Sequence, residues 1–364
     1  MKRKIRKVDA ALVRHHETLT ATINEIKMPS NFLFDLIFGR RENLTTEKVE
    51  IGVWTGGRQC APFVKKNGEA RLVTGRGNSF QTIDTPHCRI KMAIEPGKVV
   101  FTRQPGSEIF SSADQARGTA EYYAIQQMAL LDQIAESEEL LASQALRMQV
   151  TYAPAETEDV FQVTFPRTAA HTTTAAVDWD EADKSLVQIE EDFIRAKFLV
   201  SEAVGLGVTH CIMGATAARE FRQTLKAHKM LDMLNVSAGQ MALTNPWLES
   251  GAMPLGNLFG VQCWEYARTT TDHTGATKNL IRAKYAEFVS IVPAAQFVTY
   301  YGAIADAKTL GDRLHVGPRF SKAWVQEDPS VEMLLAASRP LPVPRRPDAT
   351  VSMKVVSGAN PAAG

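Results

Sequence analysis

The sequence predicts an α+β fold with two lobes and a projecting β arm. Three observations carry this reading. Residues 113–149 read as one long helix, free of proline and with Gly118 as the only glycine, near the start. From 45 to 101 the pattern changes to period two, with Val49, Ile51 and Val53 alternating with Glu50, Gly52 and Trp54. Between 181 and 234 a helix, a short apolar strand and a second helix follow one another, the order of an α/β lobe. A chain of 364 residues is too long for one comfortable core, hence two lobes.

Residues 1–28 form a polar arm. Lys2, Arg3, Lys4, Arg6, Lys7 and Arg14 stand against Asp9 alone, and Ile5, Val8, Leu12, Leu19, Ile23 and Ile26 give a weak helical stripe. The basic end reads either as a solvated tail or as a contact for nucleic acid or acidic partners. After Pro29 comes an apolar anchor containing Phe32, Phe34 and Phe38, which must bury against its own subunit or a neighbour. Short strands near 49–53, 72–73 and 89–92 are separated by Gly56-Gly57, Asn67-Gly68 and Pro96-Gly97. Asn-Gly is a strong two-residue hairpin signal, so this region is an extended β-hairpin arm that needs a partner surface.

The long helix would span on the order of 55 Å at about 1.5 Å per residue. Ser112 and Gln115 form a capping-box pair at its start. Tyr123, Leu130, Ile134, Leu141, Ala145 and Met148 make a narrow apolar stripe, and Glu121, Asp132, Glu136, Glu139 and Gln144 lie opposite, as on a spine wetted on one side. Phe161–Phe165 alternates as a strand. Asp178 or Asp180 caps a helix over 181–204 that buries Leu186, Ile189, Phe193 and Ala196, and Gly205 and Gly207 stop it. A strand at 208–213 and a helix at 216–234 complete that lobe. Strands follow at 261–267 and 280–292. Beyond 333–337 lie a joint rich in proline (Pro340, Pro342, Pro344, Pro347), a last strand at 349–356 and a frayed end at 357–364.

Hydrophobic content of 45% and charged content of 22% describe a soluble globular chain, and a net charge of +1 excludes a whole-surface polyanion binder. No stretch approaches the roughly 20 apolar residues of a membrane span, and no apolar segment backs the basic start as in a signal peptide. Cys60, Cys88, Cys211 and Cys263 form no Cys-x-x-Cys pair and read as reduced thiols. Phosphate-loop, nucleophile-elbow and His-Glu-x-x-His patterns are missing. Gly75 and Gly77 lack a third glycine, the acids at 178–183 suit a helix start, and His210 sits in an apolar strand. No catalytic, cofactor-binding or metal-binding residue is expected.

Two blocks carry a family resemblance: Phe32-Leu33-Phe34-Asp35-Leu36-Ile37-Phe38 with Leu44-Thr45-Thr46-Glu47-Lys48-Val49, and Arg319-Phe320-Ser321-Lys322-Ala323-Trp324-Val325 with Asp328-Pro329. In their order and position they resemble the lambda-type major capsid proteins of tailed phages (phage major capsid protein E), of the tailed-phage and herpesvirus capsid fold. The resemblance implies an N-terminal arm (1–44), an extension loop lying over a neighbouring subunit (45–105) and a peripheral domain around the spine helix (106–180). It further implies an axial domain (181–309), a return to the peripheral domain (310–356) and a flexible tail (357–364).

The same resemblance implies a structural protein that is no enzyme and takes no cofactor. Copies would assemble as hexamers and pentamers into an icosahedral head, built in the host cytoplasm and enclosing the phage genome. Scaffold, portal and decoration proteins would be partners, without a membrane. Lys2, Arg3, Lys4, Arg6 and Lys7, with Phe32, Phe34 and Phe38, are the candidate residues for contact with other subunits or packaged DNA. An encapsulin-like compartment shell, an α/β enzyme with a dimerisation arm and a nucleic-acid binder are the competing readings.

Overall fold

The computed structural model describes residues 16–26, 30–55, 77–94, 112–152, 160–181, 185–227, 250–271, 275–292, 296–306, 314–328 and 331–358. Lys2, Arg3, Lys4, Arg6, Lys7 and Cys60 lie outside them, as do the Asn67-Gly68 turn, the strand at 72–73 and the side chains of the Ser112–Gln115 pair.

Helix α1 (His16–Glu25) buries Leu19 and Ile23 against the spine. Thr20 ties it down by donating its hydroxyl to the Ser321 carbonyl and accepting from the Ser321 amide. Helix α2 (Phe32–Ile37) is the apolar anchor, and β1 (Arg41–Asn43) follows it. Strands β2 (Lys48–Thr55) and β3 (Gly77–Asp84) form an antiparallel ribbon from Lys48↔Asp84 to Thr55↔Gly77 that, among the described residues, joins no other sheet. The expected hairpin is therefore present, with Val49, Ile51 and Ile83 rooting it in the core.

Strand β4 (Cys88–Ile94) departs from expectation. It leaves the arm and pairs with β16 (Val331–Ser338), which also pairs with β15 (Phe320–Gln326). Ile94, Leu334 and Ala336 of this sheet pack on Leu130, Leu131 and Ile134 of the spine helix α3 (Ser112–Leu146). The spine ends at Leu146, three residues before its expected end, where Met148 takes a left-handed φ of 66° that no glycine announces.

Strands β5 (Gln149–Tyr152) and β6 (Phe161–Thr164) then pair as a second hairpin. After β7 (Thr172–Thr174) comes α4 (Leu186–Val204), whose cap is Ser185 rather than Asp178 or Asp180. Ser185 and Gln188 make a reciprocal capping box, and Gly205 closes the helix at φ 75°. Asp180 instead holds the chain end, accepting from the Ser357 amide and hydroxyl, so residue 357 is tied down.

Strand β8 (His210–Met213), helix α5 (Ala215–Ala227), β9 (Ala252–Leu258), β10 (Val261–Tyr266), the small pair β11 (Thr269–Thr271) and β12 (Thr277–Asn279), and β13 (Tyr285–Val289) follow. With β18 (Thr350–Lys354) they complete a six-stranded sheet, β7-β18-β13-β8-β10-β9. The last strand thus lies inside the α/β lobe, between β7 and β13, rather than returning to the spine lobe. Alternation sends Cys211, Met213, Val261, Cys263, Ala286 and Phe288 to the face covered by α4 and α5, and Ile212, Trp264 and Val289 to the face that meets the spine and the anchor. Gly214 makes the tight exit from β8, since a Cβ there would lie 2.1 Å from the Arg282 carbonyl oxygen.

The proline-rich joint is itself a strand. β17 (Pro340–Pro344) runs antiparallel to β14 (Phe297–Tyr301), whose other side holds β1 in parallel. The Arg345 amide donates to the Gln296 carbonyl, and the Gly302 amide to the Arg339 carbonyl. Odd-numbered residues therefore face the partner strand. Pro340, Pro342 and Pro344 place their missing N–H groups on the free edge, where no ladder bond is lost.

Candidate functional site

The anchor meets the spine through groups the sequence placed on a wet face. Glu139 and Gln144 are buried rather than exposed, and Glu138 is buried beside them. Glu139 Oε1 accepts from the Leu33 amide at 2.8 Å and from the Tyr266 hydroxyl at 2.7 Å, and its Oε2 accepts from the Phe34 amide at 2.9 Å. Amides in the first turn of a helix have no intrahelical partner. A carboxylate from the spine thus caps α2, while Asn31 donates its own side-chain amide to the Ala135 carbonyl at 2.7 Å.

Glu138 Oε1 accepts from the Tyr301 hydroxyl at 3.1 Å, and its Oε2 is buried with no hydrogen-bond partner among the described residues. Burial pushes the Glu138 carboxyl up to about 7, against the opposing pull of Arg319 and Tyr301. It pushes Glu139 up to about 7 as well, against the bonds from Tyr266, Leu33 and Phe34.

Phe32, Phe34 and Phe38 line this junction and are buried within their own subunit. Phe32 packs on Trp264 and Tyr266, with ring centroids 5.2 and 5.1 Å apart, and Phe38 stands edge-on to Phe297 at 5.5 Å. Of the two surfaces open to the anchor, its own subunit is the one it uses, so these rings are corrected from inter-subunit contacts to core. The apolar density that marked them is equally the mark of a core helix.

A second polar seam lies on the same side of the six-stranded sheet. Arg282 donates to Glu287 Oε1 at 2.7 Å and to the Ser352 hydroxyl, and Ser352 donates to Glu287 Oε1 at 3.0 Å. Arg147, at the end of the spine, donates to the Leu280 carbonyl at 3.2 Å. These groups tie β13, β18 and the end of the spine together.

Among the described residues Cys211 and Cys263 are buried, and Cys88 and His210 are half-buried. Burial raises the thiols of Cys88 and Cys211, and burial lowers His210, whose ring bonds the Thr209 hydroxyl at 2.9 Å. Among the described residues no group of three or more His, Cys, Asp or Glu could hold a metal ion, and no helix is long and apolar enough to cross a membrane.

The exposed features suit contact with macromolecules instead. Val187, Ile194 and Phe198 of α4 are each more than half exposed and share one helix face at spacings of seven and four. Glu190, Glu191, Arg195 and Glu202 are exposed on the same helix. The 187–194–198 spacing was legible in the sequence, but the stronger stripe through Ile189, Phe193 and Ala196 masked it. On the β5–β6 hairpin, exposed Phe161 stacks on Tyr152 at 5.3 Å beside exposed Val160.

Residues 16–355 match the family described as phage major capsid protein E. The chain belongs to this family. It is a structural capsid protein and not an enzyme. It is 23% identical over 348 residues to the major capsid protein of Enterobacteria phage P21, covering 93% of this chain and 98% of that protein. A crystal structure of a capsid protein assigned to a prophage of Escherichia coli CFT073 is similar at a TM-score of 0.66 and 19% identity, covering 94% of this chain and 99% of the other. The capsid of Ralstonia phage GP4 is similar at a TM-score of 0.51 and 13% identity, over 93% and 94% of the two chains. The fold is that of phage capsid proteins, as the resemblance implied.

Proposed function

We propose that copies of this chain assemble into hexamers and pentamers that tile a closed icosahedral head around a phage genome. The family match over residues 16–355, with 98% of the P21 major capsid protein covered, is the observation that carries this reading. The molecule supports it in two places. Among the described residues the β2–β3 ribbon joins no other sheet, and a two-stranded ribbon is marginal without a partner surface. The apolar stripe on α4 is exposed in the single subunit. The ribbon serves as the extension loop over a neighbour, the spine with β4, β15 and β16 as the peripheral part, and the α4–α5 lobe as the axial part. Ring contacts of this kind are head-to-tail and close only at a fixed copy number. Lys2, Arg3, Lys4, Arg6 and Lys7 reach packaged DNA or a scaffold, and assembly takes place in the host cytoplasm with a portal partner.

The test is electron microscopy of the expressed chain beside a sizing column, with and without a candidate scaffold. Shells, tubes or rings of five or six are expected. A chain that stays monomeric or dimeric in both conditions overturns the proposal. Removing 56–76 alone is expected to leave a folded subunit that builds no shells. A deletion extending to residue 97 would also remove β3 and β4 and so confound folding with assembly.

A further inference from the structure

Two adjacent carboxylates buried on one helix are costly, because desolvation disfavours the charged form of each. Glu138 and Glu139 are both fully buried, and they serve different neighbours. Glu139 holds the first-turn amides of the anchor and the Tyr266 hydroxyl of β10, three donors that suit a carboxylate. Among the described residues Glu138 has one donor, Tyr301 of β14, and a second oxygen with no partner, which suits a protonated carboxylic acid.

The charges around the pair come from every side. Asp35 of the anchor opposes ionisation of both, while Arg319 ahead of β15 and Arg41 of β1 favour ionisation of Glu138. Cys88 of β4 is held as a neutral thiol by burial and by Glu138. Arg41 also donates to Asp35 at 2.9 Å, so its charge is shared between the anchor and Glu138.

We propose that Glu138 and Glu139 form a proton-controlled latch seating the N-terminal anchor helix on the spine, tight while Glu138 carries a proton and loosened when both carboxylates are charged. The anchor links the N-terminal segment to β1 and the β2–β3 arm, so the latch sets how firmly the projecting parts are held to the body. The direction with pH follows from linkage. Both carboxyls sit near 7 when seated, against 4.5 as their ordinary value. An opened, hydrated state releases its protons first as pH rises from about 4.5. Seating therefore weakens between about pH 4.5 and 7 and then levels off.

The experiment is hydrogen exchange on the full-length chain at pH 5.0, 6.0, 7.0 and 8.0, after correction for intrinsic exchange, comparing peptides over 30–38 with peptides from α4. Protection of 30–38 is expected to fall at least about tenfold from pH 5 to 7, within the limit of about tenfold per pH unit per proton, and to level off by pH 8, with α4 little changed. Glu138→Gln, which keeps the shape and removes the charge, is expected to remove the Glu138 share, about half on a logarithmic scale, of that fall and to leave the anchor better protected at pH 8 than in the wild type. A pH-independent wild-type anchor overturns the latch, and so does a Glu138→Gln chain that retains the full pH dependence. If Glu138→Gln fails to fold, Tyr301→Phe decides. It removes the one donor to Glu138 among the described residues, so the fall in protection should still begin near pH 4.5 but extend to higher pH, and an unchanged profile overturns the latch. None of these readouts depends on assembly, so failure of the latch and failure of shell formation are separate results.

Discussion

The two faces of the six-stranded sheet are built on opposite plans. On the α4–α5 side the filling is mostly dry: Phe193 meets Phe288 edge-on at 5.0 Å, Phe259 at 5.3 Å and Phe221 at 6.0 Å, with Cys211, Met213 and Val261 around them, and Asp192 is a buried acid that accepts from Trp179 Nε1 at 3.0 Å. On the spine side the apolar core is threaded with the buried carboxyl groups of Glu138, Glu139 and Glu287, the last paired with half-buried Arg282. That α4–α5 face joins α4, β8 and α5, neighbours along the chain, with Phe288 of β13 and with Val351 and Met353 of β18, and volume and hydrophobicity hold it together. The polar face joins pieces from near residues 33, 139, 266, 282, 301 and 352, and hydrogen bonds of fixed direction select one docking geometry among several apolar ones. Density supplies stability on one side, and directional bonds supply register on the other.

The strongest way to break this comparison is on the dry face. Phe193→Ala empties a site enclosed by three rings and is expected to cost about 3–5 kcal/mol, read by chemical denaturation. A loss below about 1 kcal/mol would mean that this face is not the stability core.

Next comes the polar seam. Arg282→Met leaves Glu287 buried without its cation and should cost about 3 kcal/mol, while Arg282→Met with Glu287→Leu should recover most of that. If the double variant is no better than the single, the seam contributes stability outright rather than orientation. The smallest effect is local. Ser185→Ala removes the capping box of α4 and should cost about 1 kcal/mol, seen as a lower thermal midpoint with assembly unchanged.

These elements also divide what could be read early from what could not. The spine, the arm ribbon, the α4–β8–α5 run and the Gly205 stop were legible because each is written in local periodicity or turn chemistry. Ser185 was legible in principle, being followed by Gln188, but the acids at 178–183 offered a competing start. Strand β17 was misread because alternating prolines look like a polyproline joint until a partner strand shows that they fall on a free edge. Glu139 was misread because helical geometry fixes which face a side chain shares but not what covers that face.

The sequence by itself determined the α+β class, the order of the main elements, the lack of catalytic patterns and, through its two blocks, the capsid family. Periodicity, caps and short motifs act over a few residues, and that range is enough for those conclusions. Only the tertiary structure decided that the anchor rings belong to their own subunit, that β4 and β18 change sheets, and that two spine carboxylates meet the anchor in a buried seat. Each of those depends on residues far apart in the chain, and burial by distant neighbours, which no local pattern encodes, sets both their packing and their charge.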